Sequence, residues 1–267
     1  MIAGKLRELK IGFEAGLVKF RNDLPSLIMI HGAGGSSIVW KAQTHLLKSR
    51  CNTFALDLPG HGKTAGSGHT EISEYAQWLT DILADVFDEQ PYLMGHSMGG
   101  AIVQTAALSN HELAKGIILV GTGPRLQVAP MFLDGLKNDF EKVVETLIGY
   151  AYAPDAEESL VREGIKLMKK AGAKVVHGDF SACNRFDLRT EVDQIDTPCL
   201  ILCGEQDKLT PPALSIKLNQ LIKNSTLKVL PSAGHMVMIE NYRMLNEYVS
   251  EFLSTTDFSL NKTGFKQ

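Results

Sequence analysis

Tyr92-Leu93-Met94-Gly95-His96-Ser97-Met98-Gly99-Gly100-Ala101-Ile102-Val103 is the stretch whose reading decides the fold. It begins as a short apolar strand, passes through a serine with a glycine two residues to either side, and continues at once as a helix. A strand-to-helix turn this tight leaves no room for side chains at the flanking positions, which is why glycine stands there. The turn lifts the serine hydroxyl above the sheet edge and aims the first free N–H groups of the helix at whatever that oxygen attacks. The plainer reading of the same residues is a glycine-rich turn with an incidental serine, so the rest of the chain has to discriminate.

Working outward, apolar runs alternate with helical patterns. Leu27-Ile28-Met29-Ile30 is continuous, as in a strand buried on both faces. It empties into His31-Gly32-Ala33-Gly34-Gly35. A helical segment over 37–49 precedes the strand Asn52-Thr53-Phe54-Ala55-Leu56, which ends in Asp57-Leu58-Pro59-Gly60-His61-Gly62. Ile72, Tyr75, Ala76, Leu79, Ile82, Leu83 and Val86 recur at helical spacing. After the serine segment come the strand Gly116-Ile117-Ile118-Leu119-Val120 and then a helical block. Strands resume at Pro198-Cys199-Leu200-Ile201-Leu202-Cys203 and Thr226-Leu227-Lys228-Val229-Leu230, with helices expected over 211–223 and 237–253. Alternating buried strands and helices predict an α/β fold with a mostly parallel central sheet. Residues 1–122 and 191–267 then form its core. The helical stretch 123–190 reads as an inserted cap over the carboxyl edge of the sheet, where such sheets bind ligands. One helix of that block is expected to open at Pro154-Asp155 and close on Lys166, Lys169 and Lys170 before Gly172. Residues 6–20 suggest a small antiparallel hairpin, and the last dozen residues read as loose.

Composition narrows the class. The 267 residues carry a net charge of −3, with 44% apolar and 21% charged positions, an ordinary globular balance. No basic block invites nucleic acid or an anionic membrane. The N-terminus lacks the apolar run of a signal peptide, and no stretch reaches the ~18 apolar residues of a membrane span. The expectation is a cytoplasmic protein. Cys51, Cys183, Cys199 and Cys203 fit reduced core residues, without His or Cys neighbours at metal-ligand spacing.

A serine nucleophile needs a base to take its proton, and the base needs an acid to hold its tautomer. His235, in Ala233-Gly234-His235-Met236, follows the strand ending at Leu230. Asp207, in Gly204-Glu205-Gln206-Asp207-Lys208, follows the strand ending at Cys203. The order Ser97, Asp207, His235 places all three on loops at one sheet edge. Glu205 is a rival acid, and Asp207 could instead cap a helix opening near Thr210. The oxyanion requires two N–H donors, for which Met98 and Ala33 are the candidates. Gly60-His61-Gly62-Lys63-Thr64 imitates the end of a phosphate-binding loop, but Asp57 stands where its first glycine belongs and no helix opens at Thr64. His61, His69 and His96 lack carboxylate partners at ligand spacing, so no metal site is expected. Leu126, Val128, Phe132, Tyr150, Leu209 and Met236 are candidate substrate-pocket residues.

The set His31-Gly32-Ala33-Gly34, Asp57 through Gly62, Gly95-His96-Ser97-Met98-Gly99-Gly100, Gly204 through Asp207 and Gly234-His235 resembles the α/β-hydrolase superfamily, in particular its small, lid-bearing, cofactor-free esterase-like members. The resemblance implies a triad of Ser97, Asp207 and His235, an oxyanion hole of Ala33 and Met98, and hydrolysis of a small carboxylic ester through an acyl-enzyme. A serine at 97 separates the chain from the dehalogenase and epoxide hydrolase relatives, whose nucleophile is an aspartate. Lactone opening, carbon–carbon cleavage, acyl transfer or perhydrolysis could use the same triad. A small-ligand receptor with a vestigial triad is the non-catalytic alternative.

Overall fold

Seven strands of the described residues form one sheet in the order β1-β3-β2-β4-β5-β6-β7. They are β1 (Phe13–Ala15), β2 (Ser26–Ile30), β3 (Asn52–Leu56), β4 (Tyr92–His96), β5 (Gly116–Val120), β6 (Cys199–Gly204) and β7 (Ser225–Leu230). The computed structural model describes residues 2–16 and 19–263, with side chains as far as Thr256. β1 pairs antiparallel with β3, and every other pairing is parallel.

The continuous apolar runs do bury both faces. Ile28, Ile30, Leu93, Ile117, Leu119 and Ile201 face one apolar cluster, while Leu27, Met29, Met94, Ile118, Val120, Leu200 and Leu202 face another. Helices α3 (Ile72–Val86) and α4 (Met98–Ser109) cover the first face. The second is covered by α10 (Val237–Glu240) and α11 (Tyr242–Thr263), through Val237, Met238, Leu245, Val249 and Leu253. Between β5 and β6 run α5 (Pro130–Asn138), α6 (Phe140–Ala151), α7 (Glu158–Ala171) and α8 (Ala173–Arg185). These four helices share an apolar cluster of their own, with Leu136, Val144, Leu147, Met168 and Val176 buried. Among the described residues no helix is long and apolar enough to cross a membrane.

Three sequence expectations change. Among the described residues the hairpin over 6–20 does not form: α1 (Ile2–Glu8) buries Leu6 in the core, and Phe13–Ala15 pairs with Phe54–Leu56 instead of with its own neighbours. Leu17 and Val18, also within that expected hairpin, lie outside the described residues. The chain end is helical through Thr263, because α11 continues the turn begun on the buried stripe Leu245, Val249 and Leu253. Residues 264–267 lie outside the described residues. The well-marked helix of the inserted block opens at Glu158, later than Pro154, with Gly172 (φ 88°) directly after it.

Candidate active site

Ser97 has φ 53° and ψ −115°, a conformation that L side chains rarely adopt and that costs on the order of 1–3 kcal/mol. The segment around it enforces this. Ser97 N–H donates to Val120 O at 2.9 Å, and Ser97 O accepts the N–H of Gly100 at 2.9 Å and the Thr122 hydroxyl at 2.9 Å. A Cβ on Gly95 would run into the carbonyl of Gly99, and one on Gly99 into the carbonyl of Ile30. The glycines at these positions are therefore steric requirements of the turn.

Asp207 and His235 come from the loops after β6 and β7 and meet in the interior. His235 Nδ1 donates to Asp207 Oδ2 at 2.8 Å, and both residues are buried. The other carboxylate oxygen accepts the backbone N–H groups of Leu209 at 2.9 Å and Thr210 at 2.8 Å. Burial alone would raise the pKa of this carboxyl. The charge of His235 and the hydrogen bonds from His235 and Thr210 outweigh burial and hold it below the usual carboxylate value. Thr210 Oγ1 sits 2.7 Å from Gly121 O, 2.8 Å from Asp207 Oδ2 and 3.0 Å from His235 Nδ1, closing the pair from one side. Glu205 is exposed and contributes nothing to this cluster. Asp207 does not cap α9 (Pro212–Leu221), whose N-cap is Pro211 without a side-chain cap bond; its second oxygen instead holds the turn at Leu209 and Thr210.

The His235 loop is held from two directions. His96 Nε2 donates to His235 O at 3.0 Å, and His235 N–H donates to Ala151 O, at the end of α6, at 2.8 Å. Burial, then the neighbouring His235, pushes the His96 imidazole down to about 3, so it is neutral and carries its proton on Nε2. Glu240 completes the frame: one carboxylate oxygen accepts Gly234 N–H at 3.0 Å and the other accepts Ala153 N–H at 2.7 Å.

Ser97 and His235 line a single cavity of about 780 Å³ between the sheet edge and the helical block. Ala33 lines it as well, and Met98 opens α4 beside it. A Cβ on Gly32 would stand 3.1 Å from Ser97 Cβ, which shows how closely the 31–35 loop approaches the serine. Neither Ala33 N–H nor Met98 N–H has an acceptor among the described residues. All six expected pocket residues, Leu126, Val128, Phe132, Tyr150, Leu209 and Met236, are in the lining. Arg125, Arg189, Lys208 and Lys217 add positive charge to it, and no Asp or Glu of the described residues does.

One expectation about the histidines is corrected. His61 does have a carboxylate partner: its Nε2 lies 2.8 Å from Asp179 Oδ2, both side chains fully buried. The two residues are 118 positions apart, and neither stands in a local pattern that announces the other.

A family model for the α/β hydrolase fold matches residues 25–242. The chain belongs to the α/β hydrolase fold family. This α/β hydrolase is similar to several esterases. It is 28% identical over 245 residues to a pimeloyl-(acyl-carrier protein) methyl ester esterase of Aeromonas hydrophila, covering 86% of this chain and 95% of that protein. A solved thermophilic esterase shares 34% identity over 86% of this chain and 90% of its own, with a TM-score of 0.78. The enol-lactonase of Burkholderia xenovorans superimposes with a TM-score of 0.84 over 91% of this chain and 96% of its own; at 19% identity it speaks for the fold alone. The α/β hydrolase described here is thus an esterase-like member of its superfamily.

Proposed function

We propose that this α/β hydrolase cleaves carboxylic esters through an acyl-enzyme on Ser97. One observation carries the reading: a buried imidazole whose Nδ1 is occupied by Asp207 lines the same cavity as a serine held on a strained turn. With its proton on Nδ1, His235 presents a lone pair at Nε2. That lone pair takes the Ser97 proton as the oxygen attacks the ester carbonyl, and Asp207 stabilises the imidazolium that forms. The Met98 and Ala33 N–H groups receive the oxyanion. Collapse of the tetrahedral adduct expels the alcohol, protonated by His235, and leaves the acyl group on Ser97. A water deprotonated by His235 then releases the acid.

Residues 123–190 act as the cap that closes over the acyl group. The apolar lining suits an uncharged or weakly polar ester, and the cationic side chains disfavour a substrate that is itself a cation. Support for the reading also comes from the similar proteins, which are themselves esterases.

The test is turnover of a chain-length series of p-nitrophenyl esters together with labelling by a fluorophosphonate. The wild type should hydrolyse the short members and carry the label on Ser97. Ser97→Ala should lose the label and at least about 10⁴-fold in kcat. A purified, folded wild type that neither turns over any ester nor takes the label overturns the proposal.

A further inference from the structure

Behind the 31–35 loop lies a polar cluster that the proposed ester mechanism does not use. Its centre is Asp179, which stands on α8 in the inserted block and has no exposed surface. Asp179 Oδ1 accepts the Tyr75 hydroxyl at 2.7 Å. Asp179 Oδ2 accepts Gly34 N–H at 2.8 Å and His61 Nε2 at 2.8 Å. His61 Nδ1 faces Pro59 O at 3.0 Å. Both ring nitrogens therefore face oxygen acceptors, an arrangement that favours the protonated imidazole. Tyr75 OH in turn accepts His69 N–H at 2.9 Å. A single carboxylate thus joins the inserted block to α3, to the 57–62 loop and to the 31–35 loop, across sequence separations of 104, 118 and 145 residues.

A buried ion pair is poor evidence of net stabilisation, because desolvating two charges offsets most of their attraction. Its placement is more informative. Gly34 has φ 63°, and a Cβ there would meet Met168 at 2.9 Å and Val176 at 3.1 Å, so the loop is pressed against α7 and α8. Gly34 N–H belongs to the peptide that begins at the Ala33 carbonyl. Fixing that N–H fixes the plane directly after Ala33, a residue that lines the cavity and whose own N–H has no acceptor among the described residues.

We infer that Asp179 is a positioning residue for the oxyanion site: through Gly34 it holds the Ala33 N–H where the developing negative charge appears. This inference rests on the ester-hydrolase reading. It means that the site is complete only with α8 seated above it, since the block itself supplies the group that orients the loop.

Asp179→Ala and Asp179→Asn are compared with the wild type in ester turnover, in affinity for an alkyl boronic acid, and in melting temperature with near-ultraviolet circular dichroism. The boronate adds to Ser97 and places an oxygen in the oxyanion site. For Asp179→Ala, kcat should fall about 10- to 100-fold, in line with a catalytic group displaced by about an ångström, with KM within about 3-fold. Boronate affinity should fall by the same factor as kcat. Asp179→Asn keeps an oxygen for Gly34 but loses the charge, so it should lie between the two. A purely structural role would lower the melting temperature and leave kcat and boronate affinity unchanged. That result in either folded variant overturns the inference, and Asn decides alone if Ala does not fold. A wild type without turnover removes the ester reading and this inference with it; turnover in the wild type beside an unimpaired variant removes only the inference.

Discussion

Buried imidazoles hold different numbers of protons in this protein, and each count follows from its partners. His31 donates from Nδ1 to Gly32 O at 2.8 Å and accepts Leu58 N–H on Nε2 at 3.1 Å. Burial, then the charge of His61 whose ring centroid is 4.9 Å away, pushes it down to about 4. His96 is pushed down to about 3 in the same way. For His61 burial again acts downward, but the hydrogen bond and charge of Asp179 overcome it and raise the imidazole above its ordinary value. These directions fix how stability responds to pH. Below about 6.5 the unfolded chain protonates His31 and His96 while the folded chain does not, so each removes about 1.4 kcal/mol of stability per pH unit of acidification. His61 acts with the opposite sign. Its contribution is complete below about 6.5 and is lost as pH rises through its folded value. Urea unfolding across pH 4.5–9 should therefore show a maximum near pH 6–7 that falls on both sides. A stability that climbed steadily toward either end would contradict these proton counts.

At the scale of elements, the turn from β4 into α4 concentrates strain at one residue. Ser97→Gly should relieve it, raising the melting temperature by a few degrees for about 1 kcal/mol while abolishing ester turnover. Gly99→Ala should do the reverse and unfold the turn, because the added methyl would collide with the backbone of Ile30. Calorimetry on the two variants separates the effects. This turn was legible in the sequence because its glycines are steric necessities at fixed offsets. Strands β2, β5 and β6 were legible because burial on both faces demands long apolar runs, whereas β3 opens on the polar Asn52 and Thr53. The loops carrying Asp207 and His235 followed from those strands. Residues 6–8, expected in the hairpin, close α1 instead: so short a stretch cannot distinguish a period of 2 from one of 3.6, and Leu6 is buried in the core. The partnership of His61 with Asp179 left no local trace, since one residue sits in a glycine-rich loop and the other in the middle of a helix.

Over the whole molecule, two buried polar junctions help fasten the inserted block to the rest of the chain, beside the exposed pairing of Arg185 with Thr70 O and Glu71. One is the Asp179 cluster. The other is the junction after α6, where Ala151 O accepts the N–H groups of His235 and Met236 at 2.8 and 3.1 Å and Glu240 bridges Gly234 to Ala153. Burial raises the Glu240 carboxyl above its ordinary value, against the pull of those two N–H donors. Glu240→Ala should cost about 2–4 kcal/mol, the scale of two hydrogen bonds to a carboxylate and the donors left without one. It should also slow ester turnover, because the loop bearing His235 loses one of its supports. Chemical denaturation and steady-state kinetics on the same preparation read both effects. An unchanged kcat at reduced stability would show that the main-chain bonds to Ala151 suffice.

The position of β4, fourth of seven in the sheet, carries a consequence for how this protein fails. A sheet frays from its margins inward, and the Ser97 hydroxyl hangs from the strand with three neighbours on either side. Heat or denaturant can loosen β1 and β7 first and still leave the serine on its turn. The imidazole and carboxylate, borne by loops after β7 and β6, would drift off earlier. On the proposed mechanism, partial melting then yields a nucleophile stripped of its proton acceptor, silent before it is unfolded.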